Sequence, residues 1–214
     1  MKSEIEKIEK RPIRYWYEDG LNEMAFGVIG ISLGVYFWIH TRIPPGSAWH
    51  IPWALGMFPL LLFGSRLLQG IVKRLKEKWT YPRTGYVSYR RSEGGRRRIA
   101  IRGAVVGAAF GLAIGFLRSS IFQQRFGIAM VVLITGLIGA GVLMWIEVKT
   151  GVFRYFVMSM ISALAGIGLS TSGLAEMAAL GLFWGILGAS HGISGVFVLV
   201  RYLRRHPAGG ADPS

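Results

Sequence analysis

Long runs of apolar residues alternate with short polar segments along most of this chain. Six of the runs hold roughly 20 residues, the length that an α-helix needs to cross the hydrocarbon core of a bilayer. The remaining residues are too few for a separate soluble domain. The pattern therefore predicts one all-α domain over 1–214, a polytopic bundle of six transmembrane helices at about 21–41, 53–72, 99–117, 126–146, 153–171 and 177–200.

The distribution of Lys and Arg indicates how the predicted spans are oriented. Twenty of these residues lie in the two tails, the loop 73–98 and the turn after the fourth span, whereas three lie in the other turns. Basic residues beside membrane spans accumulate on the cytoplasmic side. We therefore expect a multi-pass protein of the cell (inner) membrane with cytoplasmic N- and C-termini.

The composition agrees with this interpretation and excludes several kinds of chemistry. Hydrophobic residues make up 52% of the chain and charged residues 17%, against about 25% charged in soluble domains. The absence of cysteine excludes disulfides, thiolate metal sites and thiol nucleophiles. We expect no cofactor and no bound metal.

The formal net charge of +14 is concentrated beside the spans. We therefore do not expect nucleic acid as a partner, and we expect the basic loop 73–98 to contact anionic lipid headgroups or a protein. Within 80–101, the segments YVSYRR and RRRIAI flank SEGG, which is compatible with a hairpin or with the start of the third helix. Beyond the second span, IVKRLKEKW is expected to continue as a helix whose lysines, Lys76 included, face the headgroups.

Glycines recur at helical spacing in two of the predicted spans, and a shorter run, Gly27, Gly30 and Gly34, lies in the first. Small residues at this spacing let helices approach closely in lipid. The expectation is that these faces pack the bundle, and the alternative is that one face binds a second copy of the chain or another membrane protein. The residues are Gly103, Gly107, Gly111 and Gly115 in the third span, and Gly181, Gly185, Gly188, Gly192 and Gly195 in the sixth.

Five polar residues within or beside the spans form a candidate intramembrane site: His191, Ser194, Glu176, Glu23 and Arg66. Ionisable groups in lipid are costly and therefore often functional. His191 either relays protons, gates a pore or binds a ligand, or it is neutral and hydrogen-bonded within the bundle. Glu23 and Glu176 each begin a span in a similar segment, and the helix dipole explains a carboxylate there more simply than a transporter repeat does.

Two resemblances carry functional implications. Gly192-Ile193-Ser194-Gly195 resembles the GxSG motif of rhomboid intramembrane proteases, which implies a nucleophilic role for Ser194. In that family the serine and its histidine base lie on different spans, whereas His191 and Ser194 share one helix. Glu18-Asp19-Gly20-Leu21 and the segment 81–87 resemble small prokaryotic multi-pass membrane proteins of no assigned activity, which implies a location alone.

These observations favour a non-enzymatic membrane subunit or scaffold that binds a partner or anionic lipid. A small transporter or channel with His191 near its pathway is the alternative, and an intramembrane hydrolase that uses Ser194 ranks third. The first two differ in whether His191 faces a water-filled cavity or packed side chains.

Overall fold

The computed structural model describes residues 18–44, 46–81 and 129–206, which form α-helices joined by turns. The helices are α1 (Leu21–His40), α2 (His50–Leu75), α3 (Ala129–Thr150), α4 (Arg154–Ser170) and α5 (Glu176–Arg205). A π-helical turn at Lys76–Thr80 prolongs α2. The described part of the chain contains no strand, and so the prediction of an all-helical protein is confirmed there.

The helices have the length and composition of membrane spans. Four of those described, namely α1, α2 with its prolongation, α3 and α5, are long and apolar enough to cross a membrane. The fifth, α4, is also apolar but has only 17 residues, about 26 Å at 1.5 Å per residue, against a hydrocarbon core of about 30 Å. These lengths indicate a membrane protein.

Helices α1 and α5 are antiparallel and pack through glycines. A Cβ atom built on Gly27 would lie 2.6 Å from the backbone N of Gly192, and one on Gly30 would lie 2.6 Å from Cα of Gly188. Immediately before α1, Gly20 has a left-handed φ of 74° and also contacts Gly195. No larger side chain fits at these crossings without moving a helix, because the nearest atoms belong to the opposite backbone.

Helices α3 and α4 form a second antiparallel pair, in which serines reinforce the small-residue contact. Ser162 Oγ donates to the carbonyl of Gly136 at 2.9 Å, and Ser159 Oγ donates to Ala140 at the same distance. Helix α5 joins the two pairs, since one face contacts α1 and another contacts α3 and α4. The latter contact is an apolar core of Val131, Val132, Leu143, Tyr155, Met158, Ala179, Leu180, Phe183 and Leu187.

Helix α2 lies at the side of α1 and contacts the bundle near both of its ends. At one end Tyr36 stacks on Trp53 with ring centroids 4.9 Å apart, and its hydroxyl donates to the Trp53 carbonyl. At the other end Val72 packs with Leu21 of α1 and Leu199 of α5. Between these ends, most of α2 is exposed among the described residues.

Several sequence-based predictions lie outside the described residues. They include the third span at 99–117 with its glycines Gly103, Gly107, Gly111 and Gly115, and nearly all of the loop 80–101 with its hairpin. Where the chain is described, the helix after the second span does continue, to Thr80. The expectation that Lys76 faces the headgroups is wrong, because this residue is 3% exposed and ion-paired inside the bundle.

Candidate functional site

The first charged group inside the bundle is the carboxylate of Glu23, in the first turn of α1. The residue is 3% exposed because it follows Gly20 and precedes Gly27 on the face of α1 that packs against α5. Arg154, the first residue of α4, donates its Nε–H to Oε1 of Glu23. Ser194 of α5 donates its hydroxyl to Oε2 at 3.1 Å. One carboxylate thus joins three helices.

Pairing makes this buried carboxylate tolerable. An isolated ionised carboxylate in an apolar interior costs far more than a folded protein can offset, whereas a paired and hydrogen-bonded one does not. The amino-terminal end of α1 adds a favourable partial positive charge. Arg154 keeps 24% of its side chain exposed, so the guanidinium reaches the carboxylate without losing all of its water.

A second buried ion pair lies at the same end of the bundle. Lys76 Nζ is 3.0 Å from Asp19 Oδ2, and the two side chains are 4% and 2% exposed. Asp19 also accepts the backbone N–H of Leu21 through Oδ1 at 3.2 Å, which fixes the start of α1. Lys76 begins the π-helical turn directly after the part of α2 that packs on α1, and so its side chain points inward.

We call the end of the bundle marked by Asp19, Lys76, Arg154 and Arg201 the basic end, and the end marked by Glu176 the opposite end. Helices α1 and α4 begin at the basic end, where α2 and α5 finish. At the opposite end Glu176 is half-buried beside a cavity of about 160 Å³. The cavity is lined by Val132, Leu169, Ser170, Gly173, Leu174, Ala175, Glu176 and Ala179.

His191 is packed inside the bundle at the junction of α1 and α5. Its side chain is 2% exposed, and its ring centroid lies 5.5 Å from that of Phe26. Nδ1 is 2.8 Å from the carbonyl oxygen of Leu187, one turn earlier. A carbonyl only accepts, so Nδ1 carries the hydrogen, and in the neutral ring Nε2 presents a lone pair. Within the described residues Nε2 has no hydrogen-bond partner.

The structure thus gathers some of the predicted site residues and separates others. Glu23, Ser194 and His191 lie together near the basic end, with the last two one turn apart on α5. Glu176 lies 18 residues before Ser194 on the same helix, about 27 Å away along its axis. Arg66 is exposed on α2.

The arrangement offers little to nucleophilic catalysis. Ser194 is hydrogen-bonded to Glu23 rather than to His191, and Glu23 is already neutralised by Arg154. A carboxylate held in an ion pair is a weak general base. Nor do three or more His, Asp or Glu side chains converge into a metal-binding group in the part of the chain that the structure describes.

Sequence reasoning missed the partners of the buried carboxylates. From the sequence, Arg154 indicates orientation alone and Lys76 is expected at the headgroups, and neither residue is paired with a particular carboxylate. Two signals pointed to them: a carboxylate in the first turn of an apolar helix, and basic residues at helix ends on the same side of the membrane.

Apolar helices joined by buried ion pairs at one end are features of a helical membrane protein. Comparisons with protein-family models, with curated proteins and with solved structures found no match to this chain. Its function is therefore inferred from the residues and contacts described above.

Proposed function

We propose that the chain is a non-enzymatic, membrane-embedded accessory or scaffold subunit that binds a protein partner or anionic lipid. The observation that carries this proposal is the environment of His191. The imidazole is packed against Phe26 and hydrogen-bonded to its own helix, as expected of a structural residue. A transport pathway would instead place it beside water.

The interior of the described bundle supports the same proposal. Two cavities among the described residues, of about 160 and 40 Å³, are small compared with ligand sites of roughly 300–1,000 Å³, and neither is lined by His191. Its buried carboxylates, Asp19 and Glu23, are bonded to basic side chains of other helices. These groups hold helices together.

We also propose that six spans cross the membrane, with a glycine-packed third span at 99–117. Tyr81 follows Lys76 at the basic end, whereas α3 starts at the opposite end, where Val132 lies beside Glu176. A connection between opposite ends crosses the membrane an odd number of times. The segment 99–117 is the apolar stretch between Tyr81 and Ala129 that is long enough to do so.

The basic end is assigned to the cytoplasm of a cell (inner) membrane, and both termini with it. Exposed basic side chains at this end include Lys73 and Arg74 of α2 and Arg201, Arg204 and Arg205 of α5. Together with the basic loop 73–98 they favour contact with anionic headgroups, each charge contributing about 1 kcal/mol near the surface. A second copy of the chain or another membrane protein would bind the spans themselves.

Cysteine accessibility separates a packed interior from a water pathway, because the natural chain has no cysteine background. We expect Ser194→Cys and Ser190→Cys to react with a small water-soluble thiol reagent as slowly as Ile193→Cys, whose site is 71% exposed on an apolar surface of α5. Ser172→Cys, in an exposed turn at the opposite end, is the reactive control. Reaction at position 190 or 194 as fast as at 172 would establish a pathway and contradict the scaffold.

A pull-down tests for the partner directly. The tagged full-length protein, extracted in mild detergent, should retain a stoichiometric protein or anionic lipid, identified by mass spectrometry. Replacement of Arg96, Arg97 and Arg98 by alanine should release it if the basic loop is the contact. The control removes the same charge from Arg201, Arg204 and Arg205. If the unmodified protein and both variants co-purify with bulk lipid alone, the proposal is refuted.

One observation favours the second candidate, a small transporter or channel. The lone pair of His191 Nε2 is buried without a partner among the described residues, and such a group is available to a proton or a polar solute. Glu23 and Ser194 would then lie near the pathway. The cysteine experiment distinguishes the two functions.

A further inference from the structure

His191 is a titratable group surrounded by very few others. Within the described residues, α1 contributes Glu23, α4 contributes Arg154 through its bond to that carboxylate, and α5 contributes the hydroxyl of Ser194. Helix α3 contributes apolar residues to the neighbouring core. At the same end, Asp19 and Lys76 of the second ion pair are bonded to each other.

We propose that Nε2 of His191 is a proton-binding site, and that a proton bound there transfers Glu23 from Arg154 to His191 and so loosens the contact between α1 and α4. The proton comes from a hydronium ion in the water at the basic end and adds to the lone pair of Nε2. One O–H bond breaks as the N–H bond forms, and a neutral water molecule is left. Because Nδ1 already donates to Leu187, the protonated ring has a new N–H that needs an acceptor.

Glu23 retains acceptor positions for this new N–H. A carboxylate offers about four lone-pair positions, and the bonds from Arg154 and Ser194 occupy two of them. An imidazolium with a carboxylate counter-ion is far better tolerated in a buried site than an imidazolium alone. One carboxylate cannot fully compensate two cations, so the ion pair between Arg154 and Glu23 is weakened when His191 is protonated.

The released Arg154 side chain can move towards the surface, because it is already 24% exposed at the basic end. Helix α4 would remain bound to α3 through Ser159 and Ser162, which lie deeper along the helix. The expected movement is therefore a separation of α1 from α4 that is confined to the basic end. At high pH the imidazole is neutral and leaves the Glu23–Arg154 pair intact. As the pH falls, the imidazole becomes charged and competes with Arg154 for Glu23.

Nitrogen NMR of the unmodified protein, labelled in its four histidines, tests the first half of the proposal. In lipid nanodiscs at about pH 8, His191 should be the tautomer with hydrogen on Nδ1, and it should become doubly protonated by about pH 5. His191→Gln assigns the signal. A ring that stays neutral throughout, or one with hydrogen on Nε2 at about pH 8, would overturn the proposal.

Spin-label distances test the second half. Val28 of α1 and Val157 of α4 are 49% and 42% exposed near the basic end, and cysteines there accept labels without entering the core. Their separation should increase between about pH 8 and about pH 5. The same pair in His191→Gln should not change. A change that persists in the variant, or no change although NMR shows His191 protonated, would overturn the proposal.

A matched pair at the opposite end completes the design. Val35 of α1 and Leu164 of α4 are 51% and 63% exposed, and their separation should stay constant. A parallel change in both pairs would mean general swelling of the protein and would refute a hinge at the basic end. Neither experiment depends on a partner, so failure here leaves the scaffold proposal standing.

Discussion

Replacement of Arg154 by methionine is the sharpest test of the ion pair between α1 and α4. Methionine keeps much of the apolar length of the side chain but leaves Glu23, 3% exposed, with only the Ser194 hydroxyl as its described partner. Removing one member of a buried pair costs about 3–5 kcal/mol, because the remaining charge is uncompensated. We expect a loss near the lower limit, since Arg154 is itself 24% exposed.

The double variant Glu23→Gln with Arg154→Met supplies the decisive comparison. With both charges removed, the glutamine amide can still hydrogen-bond to Ser194, and no ion is left in the interior. Its loss of stability should be about 1 kcal/mol, the value of an ordinary hydrogen bond. The double variant should therefore be more stable than the single Arg154→Met variant, which is a strong departure from additivity.

Reversible unfolding in mixed micelles, followed by circular dichroism, measures these free energies. Every variant is measured at the same pH, above neutral. Arg201→Met is the control, because Arg201 is an exposed arginine at the same end and should change stability by no more than about 0.5 kcal/mol. Equal effects of Arg154→Met and Arg201→Met would refute the structural role of the pair.

Two other substitutions test the remaining contacts by the same measurement. Gly188→Ala places a Cβ 2.7 Å from the Gly30 carbonyl carbon and should lower stability by about 1 kcal/mol or more, whereas Gly141→Ala meets nothing within 4 Å and should raise it by up to about 1 kcal/mol. Equal changes of stability in these two variants would contradict the close packing of α1 against α5. Lys76→Met leaves Asp19 without its cation and should lower stability by about 3–5 kcal/mol. The control is Lys73→Met, because the Lys73 side chain is 73% exposed, and an equal loss of stability in this control would contradict the pairing of Lys76 with Asp19.

The positions of the helices were largely readable from the chain. Each described helix overlaps a predicted span, because a run of apolar residues in lipid must satisfy its own backbone groups as a helix. Details that depend on local geometry were not readable. Hydropathy did not indicate the π-helical turn at Lys76–Thr80, and α4 spans Arg154–Ser170, two residues shorter than the predicted 153–171.

The contacts of the site were much less predictable than its residues. Glu23, Ser194 and His191 were selected because polar groups are scarce in the spans, and the structure does bring them near one another. The cation that neutralises Glu23 is Arg154, 131 residues away in sequence. No periodicity within a helix encodes such a pairing, since it depends on which helices become neighbours. The same limit applies to Asp19 and Lys76.

The two ion pairs also suggest why basic residues at this end differ in their surroundings. Positive charge near a span retains that segment on the cytoplasmic side during insertion, whether or not it later finds a partner. Helices that have inserted then associate through packing and polar contacts. Asp19 and Glu23 lie at the start of the first described helix, and their partners Lys76 and Arg154 lie at the ends of two later ones. These carboxylates thus bind two of the cations at the basic end and join helices through them, while cations such as Arg201 remain exposed. If this division is correct, neutralising Lys76 should weaken helix association without inverting the protein, because most of the twenty orienting charges remain.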